Sequence, residues 1–199
     1  EKYSAAAFAT KHEDAIYFSK RVTRAVPDGG PIEAHTDLVK KLDYECELAV
    51  VLGKDARDVP AGQTLDYIFG YTILNDVSAR DVQTAHKQWY FGKSLDGFTP
   101  IGPCIVTADA FADYPPRLGI RSFVNGEKRQ DSNTALQIFD IDHVIAELSQ
   151  GMTLKAGTII ATGTPAGVGM GMDPPQFLKP GDVVRCEIEG IGTLTNPVK

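Results

Sequence analysis

The stretch Asp43-Tyr44-Glu45-Cys46-Glu47-Leu48-Ala49-Val50-Val51 constrains this chain more than any other. It reads as a β-strand, because Leu48 to Val51 is a short apolar run closed by Gly53. Alternate side chains of a strand point to opposite faces, so Glu45 and Glu47 fall on one side, about 7 Å apart along the backbone. Two carboxylates at the edge of an apolar stretch are costly unless a positive charge pairs with them, and a hard divalent cation is a common partner. A third carboxylate, Asp76, stands at the end of the next apolar run, in Asn75-Asp76-Val77-Ser78-Ala79-Arg80-Asp81-Val82-Gln83. Glu45, Glu47 and Asp76 are therefore the candidate metal ligands. With no histidine or thiolate beside them, they favour Mg²⁺, Mn²⁺ or Ca²⁺ over zinc. Cys46 points to the other face of the strand and reads as core. Glu187 and Glu189 have the same spacing near a C-terminal turn, where a solvated hairpin face is the simpler reading.

The remainder of the chain supports one domain built mostly of strands. Its 199 residues suffice for a substantial core, and 43% hydrophobic with 23% charged residues is ordinary for a globular protein. The net charge of −6, with no basic cluster, argues against nucleic acid as a partner. No apolar stretch approaches the roughly 20 residues of a membrane span, and no secretory h-region opens the chain. Three cysteines do not make a disulfide framework, so a reducing, cytoplasmic setting is expected. The first residue is Glu1, not Met, as in a fragment of a longer protein.

Along the chain, residues 1–42 form an N-terminal segment. Ala5 to Ala9 suggests a helix, and Ile16 to Lys20 a short strand. Pro27-Asp28-Gly29-Gly30-Pro31 suggests an exposed turn or a lid over a site. Leu65 to Leu74 is apolar and β-rich. After it, Ser78 is placed to cap a helix with Asp81 three residues on, and Asp76, Arg80 and Gln83 share a face at i, i+4 and i+7. Thr99 to Thr107 reads as a strand, Asn125-Gly126 as a hairpin turn, and Asp140 to Ser149 as a helix. Thr158 to Thr162 is a strand running into a glycine-rich run from Thr162 to Gly171. That run lacks the G-K-[ST] ending of a phosphate loop, yet its amides and Thr164 suit a carboxylate. Two short helices are expected in all. The four histidines, His12, His35, His86 and His143, form no hydrolytic triad pattern.

Five motifs then fall in order: Asp-Tyr-Glu-Cys-Glu-Leu-Ala-Val-Val, Asn-Asp-Val-Ser-Ala-Arg-Asp-Val-Gln, Gly-Lys-Ser, Ala-Thr-Gly-Thr-Pro-Ala-Gly-Val-Gly and Leu-Lys-Pro-Gly-Asp-Val-Val. From Asp43 to Val198 this resembles the fumarylacetoacetate hydrolase family. The resemblance implies a mainly β (α+β) fold with short helices, a mixed β-sandwich or β-roll of the C-terminal type, spanning 43–199 behind a lid in 1–42. It also implies a homodimer, with Mg²⁺ or Mn²⁺ held by Glu45, Glu47 and Asp76. Arg80, Gln83 and Lys93 would contact the substrate or its developing charge, and Thr164 with Gly163 its carboxylate. The substrate would be a small 2-oxo or 2,4-dioxo acid. The leading expectation is hydrolysis of a carbon–carbon bond in an acylpyruvate through an enolate. Oxaloacetate decarboxylation, isomerisation of a 2-hydroxyhepta-2,4-diene-1,7-dioate, and a non-catalytic metal-binding module are the alternatives. Family hydrolases activate water with a His–Glu pair in the lid. Here the position expected for that histidine after Tyr3 is Ala6, and His12-Glu13 fills the role in a shifted register, with His35 a substitute.

Overall fold

The computed structural model describes residues 14–199. The helix expected at Ala5 to Ala9 and the His12-Glu13 pair lie outside the described residues. The alternation around Glu47 produces β2 (Cys46–Leu52), which follows the short β1 (Leu42–Asp43). Along β2, Cys46, Leu48, Val50 and Leu52 enter the main apolar core, while Glu47, Ala49 and Val51 face the other way. Glu45 lies just before the ladder, its amide donating to the Asn75 side chain at 3.0 Å.

β2 sits inside an antiparallel four-stranded sheet of order β5-β3-β2-β8, with β3 (Ile68–Asn75), β5 (Ile101–Thr107) and β8 (Ile159–Ala161). A second sheet, of order β10-β9-β6-β7, joins β6 (Gly119–Val124), β7 (Glu127–Asn133), β9 (Val183–Ile188) and β10 (Gly192–Pro197). The core lies between the two sheets, where Ile120, Val124, Val184, Cys186, Ile188 and Leu194 meet the inner residues of β2 and β3. β1 pairs with β4 (Ser78–Ala79), and its Leu42 also bridges to Leu178. That short ladder brings Asp43 beside the start of α1 (Arg80–Ala85), which turns into α2 (Tyr90–Lys93). A further helix, α3 (Ile141–Leu148), is capped by Asp140, whose carboxylate accepts the His143 amide.

Several sequence expectations are corrected. Ile16 to Lys20 is extended but joins no ladder, and forms a strap whose side chains reach two different walls. The run from Leu65 begins as a 3-10 turn, Thr64–Tyr67, and becomes a strand only at Ile68. Ser78 caps nothing: it belongs to β4, and its hydroxyl donates to the Asp76 carbonyl at 2.9 Å. Asp76 consequently precedes α1 instead of sharing its face. Three α-helices are present among the described residues where two were expected. Pro27 to Pro31 forms a turn held against β10. The Gly29 and Ile32 amides donate to the carbonyls of Thr195 and Pro197, and the Thr195 amide to Asp28, which fastens this turn to β10. No helix is long and apolar enough to cross a membrane.

Candidate active site

Glu45, Glu47 and Asp76 converge. Each offers a carboxylate oxygen within 4.8 Å of the others, and all three are buried. Glu47 owes its place to strand alternation, Glu45 to the turn before β2, and Asp76 to the end of β3. The Asp76 amide donates to the Glu45 carbonyl at 2.9 Å, which ties the two turns together.

Three cations surround this cluster. The Lys93 ammonium contacts Glu45 at 2.7 Å and Asp76 at 2.6 Å. Arg80 donates through Nη1 to Glu45 at 2.6 Å and through Nε to Asp43 at 2.9 Å. Lys20, from the strap, contacts the other Asp76 oxygen at 2.6 Å and the Phe98 carbonyl at 2.5 Å. Such short charge-assisted contacts are strong in a dry setting. Gln83 lies one turn beyond Arg80 and accepts from its Nη1 at 3.3 Å.

The charges do not balance evenly. Burial pushes Glu45 up, but Lys93 and then Arg80 override it and hold the carboxyl at about 2. Burial, reinforced by the Asp76 and Glu45 charges, pushes Glu47 well above the ordinary range. Its one hydrogen bond among the described residues comes from the Gly163 amide at 2.8 Å, and no cation pairs with it. Burial lowers Lys93, yet the charges of Glu45 and Asp76 outweigh this and raise it; for Lys20 burial wins and the ammonium is lowered. A carboxylate set with one buried, unpaired member fits a divalent cation. Glu45, Glu47 and Asp76 are hard oxygen donors of the kind Mg²⁺, Mn²⁺ and Ca²⁺ take.

The glycine-rich run holds carboxylates, but the protein's own. Gly163 donates to Glu47, while the Gly169 and Met170 amides hold Asp43 at 2.8 and 2.9 Å. Gly163 has φ +90°, a conformation that a side chain would strain. Thr164 gives its hydroxyl proton to the Cys46 carbonyl at 2.9 Å and accepts from Gln130 at 2.7 Å. A cavity of about 1020 Å³ opens over the cluster, and Lys20, Arg80, Gln83, Lys93, Gly163 and Thr164 all line it. His35 does not; it faces the Asp96 carbonyl at 2.8 Å and packs on Phe98.

Two residues escaped the sequence reading. Asp43 completes the i, i+2, i+4 series with Glu45 and Glu47, and that spacing was the signal for it. Lys20 sits two residues after Phe18, and alternation along an extended segment was the only clue. The strap is seated by Phe18, edge-on to Trp89 at 5.2 Å, by the Arg21 amide donating to Ser94 at 3.0 Å, and by the Tyr17 hydroxyl donating to Glu147 on α3.

Comparison with known proteins agrees with this geometry. Residues 2–199 match the family described as fumarylacetoacetate (FAA) hydrolase, C-terminal. The oxaloacetate tautomerase YisK of Bacillus subtilis is 45% identical over 186 residues, covering 94% of this chain and 62% of that protein. The fumarylacetoacetate hydrolase structure from Exiguobacterium antarcticum has 53% identity and a TM-score of 0.84, over 87% of this chain and 62% of that one. A 5-carboxymethyl-2-hydroxymuconate delta-isomerase from Mycobacterium smegmatis gives 42% and 0.83, over 94% and 70%. The chain thus spans less than two thirds of the length of the curated relatives it matches, 62% in the B. subtilis case. With the family model matched over nearly its whole length, the chain belongs to the fumarylacetoacetate hydrolase family, whose C-terminal type of domain it carries.

Proposed function

We propose that this protein is a divalent-metal-dependent enzyme that interconverts keto and enol forms of a 2-oxo acid, as a tautomerase or double-bond isomerase. The observation that carries this reading is the buried Glu45–Glu47–Asp76 cluster, with Glu47 unpaired among the described residues and three fixed cations around it. An ion held by Glu45, Glu47 and Asp76, Mg²⁺ or Mn²⁺ foremost, supplies Lewis acidity at the oxo-acid head. Lys93 keeps a desolvated positive charge beside the place where an enolate oxygen develops, where a preorganised charge is worth most. Asp43 clamps Arg80 through Nε, so its guanidinium holds one orientation toward Glu45. The ammonium of Lys20 faces the same cavity and gives the enolate a second neutralising group. Proton transfer alone completes such a reaction, and relatives at 45% and 42% identity carry the names tautomerase and isomerase.

Carbon–carbon hydrolysis of an acylpyruvate- or fumarylacetoacetate-like acid is the second reading. It is favoured by the 53% identity to the E. antarcticum hydrolase. This reaction needs a base to activate water. Asp14, the neighbour in sequence of His12-Glu13, lines the cavity.

The test is ultraviolet absorbance of enol and dienol chromophores over oxaloacetate, acylpyruvates and a hydroxymuconate-type acid, with Mg²⁺ and with EDTA, products identified. Metal-dependent ketonisation without bond cleavage supports the first reading. Pyruvate plus a carboxylic acid, abolished by His12→Ala or Glu13→Ala, moves the protein to the second, and carbon dioxide from oxaloacetate to a decarboxylase. Lys93→Met should lower kcat by about 10²–10³, the usual cost of removing one preorganised charge stabiliser. Undiminished kcat would remove Lys93 from the reaction.

A further inference from the structure

The cavity changes character along its length, and the register of β8 on β2 shows how. Ala161 pairs with Ala49 and Ile159 with Val51, so both share the strand face that carries Glu47. Beyond Glu47 that face continues with Ala49 and Val51, about 13 Å along the strand, and beside them Ala161 and Ile159 of β8 line the cavity. Opposite it, α3 buries Ile141 and Ile145 in the core and leaves Val144 and Leu148 on the cavity wall. Leu136 and Ile138 stand at its rim, 74% and 69% exposed. The cations among the described lining residues are Lys20, Arg80 and Lys93, and all three are engaged at the carboxylate cluster. Asp14 lines the cavity, and Glu147 holds the strap through Tyr17.

We propose that the substrate carries an apolar tail, alkyl or aryl, lying along Ile159, Val144 and Leu148, and not a second, distal carboxylate. This rests on the enolisation reading for the head of the molecule. A terminal carboxylate lying along Ile159, Val144 and Leu148 would lose its hydration against apolar side chains, and among the described lining residues the cations are already engaged at the carboxylate cluster. An alkyl tail there gains about fourfold in affinity for each buried methylene.

The experiment compares 2-oxo acids of equal chain length ending in methyl or in carboxylate, with oxaloacetate, whose second carboxylate lies too near the head to reach the tail region, as a control for the head-group chemistry, all with Mg²⁺. Turnover and calorimetric binding are both read. The methyl-ended series should bind at least tenfold tighter and strengthen with each added carbon. Ile159→Lys and Leu136→Lys, both at exposed positions, should shift the preference toward the carboxylate-ended series by tenfold or more. Equal or better use of the carboxylate-ended acids by the unaltered protein overturns the proposal. So does turnover of oxaloacetate alone with neither series bound, which leaves the enolisation reading standing. Inertness of every compound, oxaloacetate included, removes that reading and the tail assignment with it.

Discussion

Glu47 is the residue that sets the buried acidic cluster apart. Its neighbours Glu45 and Asp76 each touch ammonium or guanidinium groups, whereas among the described residues Glu47 has one backbone amide, two like charges and only the more distant Lys93 to offset them. An unpaired buried carboxylate destabilises the folded state, and removing its charge relieves that cost. In EDTA, Glu47→Gln should therefore raise Tm, by about 2–4 °C for each kcal/mol relieved in a chain of this size. The amide oxygen of glutamine can still accept from Gly163. The same substitution should erase the rise in Tm that Mg²⁺ gives the unaltered protein. Differential scanning calorimetry with and without Mg²⁺ reads both effects, and a variant that still shifts with Mg²⁺ would take Glu47 out of the ligand set.

At the scale of elements, the site depends on two joints. The first is the corner between α1, which carries Arg80, and α2, which carries Lys93. A Cβ on Gly92 would lie 2.7 Å from the Gln83 backbone nitrogen, so only glycine lets the helices approach this closely. Gly92→Ala should separate Lys93 from Arg80 and lower both stability and kcat. A crystal structure of that variant with Lys93 still on Glu45 and Asp76 would contradict this account. The second joint is the strap of residues 14–22, whose Tyr17 hydroxyl reaches Glu147 on α3. Removing it in Tyr17→Phe gives up about 1 kcal/mol, so cleavage within the strap by a protease should quicken about fivefold. Unchanged cleavage would show that Phe18, Lys20 and Arg21 hold the strap without it. These joints mark what the sequence leaves hidden. Strand β2, the Asn125-Gly126 hairpin and α3 were legible because each rests on local periodicity or turn chemistry. The acidic cluster was legible because alternation plus an abrupt apolar run fixes where Glu47 points. The strap, by contrast, pairs with no strand, and its lysine finds Asp76 across 56 residues. No local pattern encodes such a contact. Ser78 misled for a related reason: its capping sequence is sound, but pairing of β4 with β1 claimed that stretch first.

For the whole molecule, the buried charge cluster shapes the response to pH. Glu45 is held at about 2, below its ordinary 4.5, so its contribution to stability is complete above about pH 4.5 and is lost as pH falls toward 2. Glu47 is raised instead, so its ionisation subtracts stability at neutral pH, and protonation on acidification restores it. Metal-free protein should accordingly be most stable in mildly acidic solution, and Glu47→Gln should flatten the neutral side of that profile. Thermal unfolding in EDTA from pH 8 to pH 3 measures this; stability rising steadily to pH 8 would contradict the assignment of Glu47. The two-faced strand β2 carries a last consequence, one of parity. Its even-numbered residues build the core, while the odd-numbered ones share the face from which Glu47 enters the cavity. Substitutions can tune either side independently, but inserting or deleting one residue would exchange the two roles at a stroke. Across descendants of this sequence, changes of length within Cys46–Leu52 should therefore come in twos or not at all.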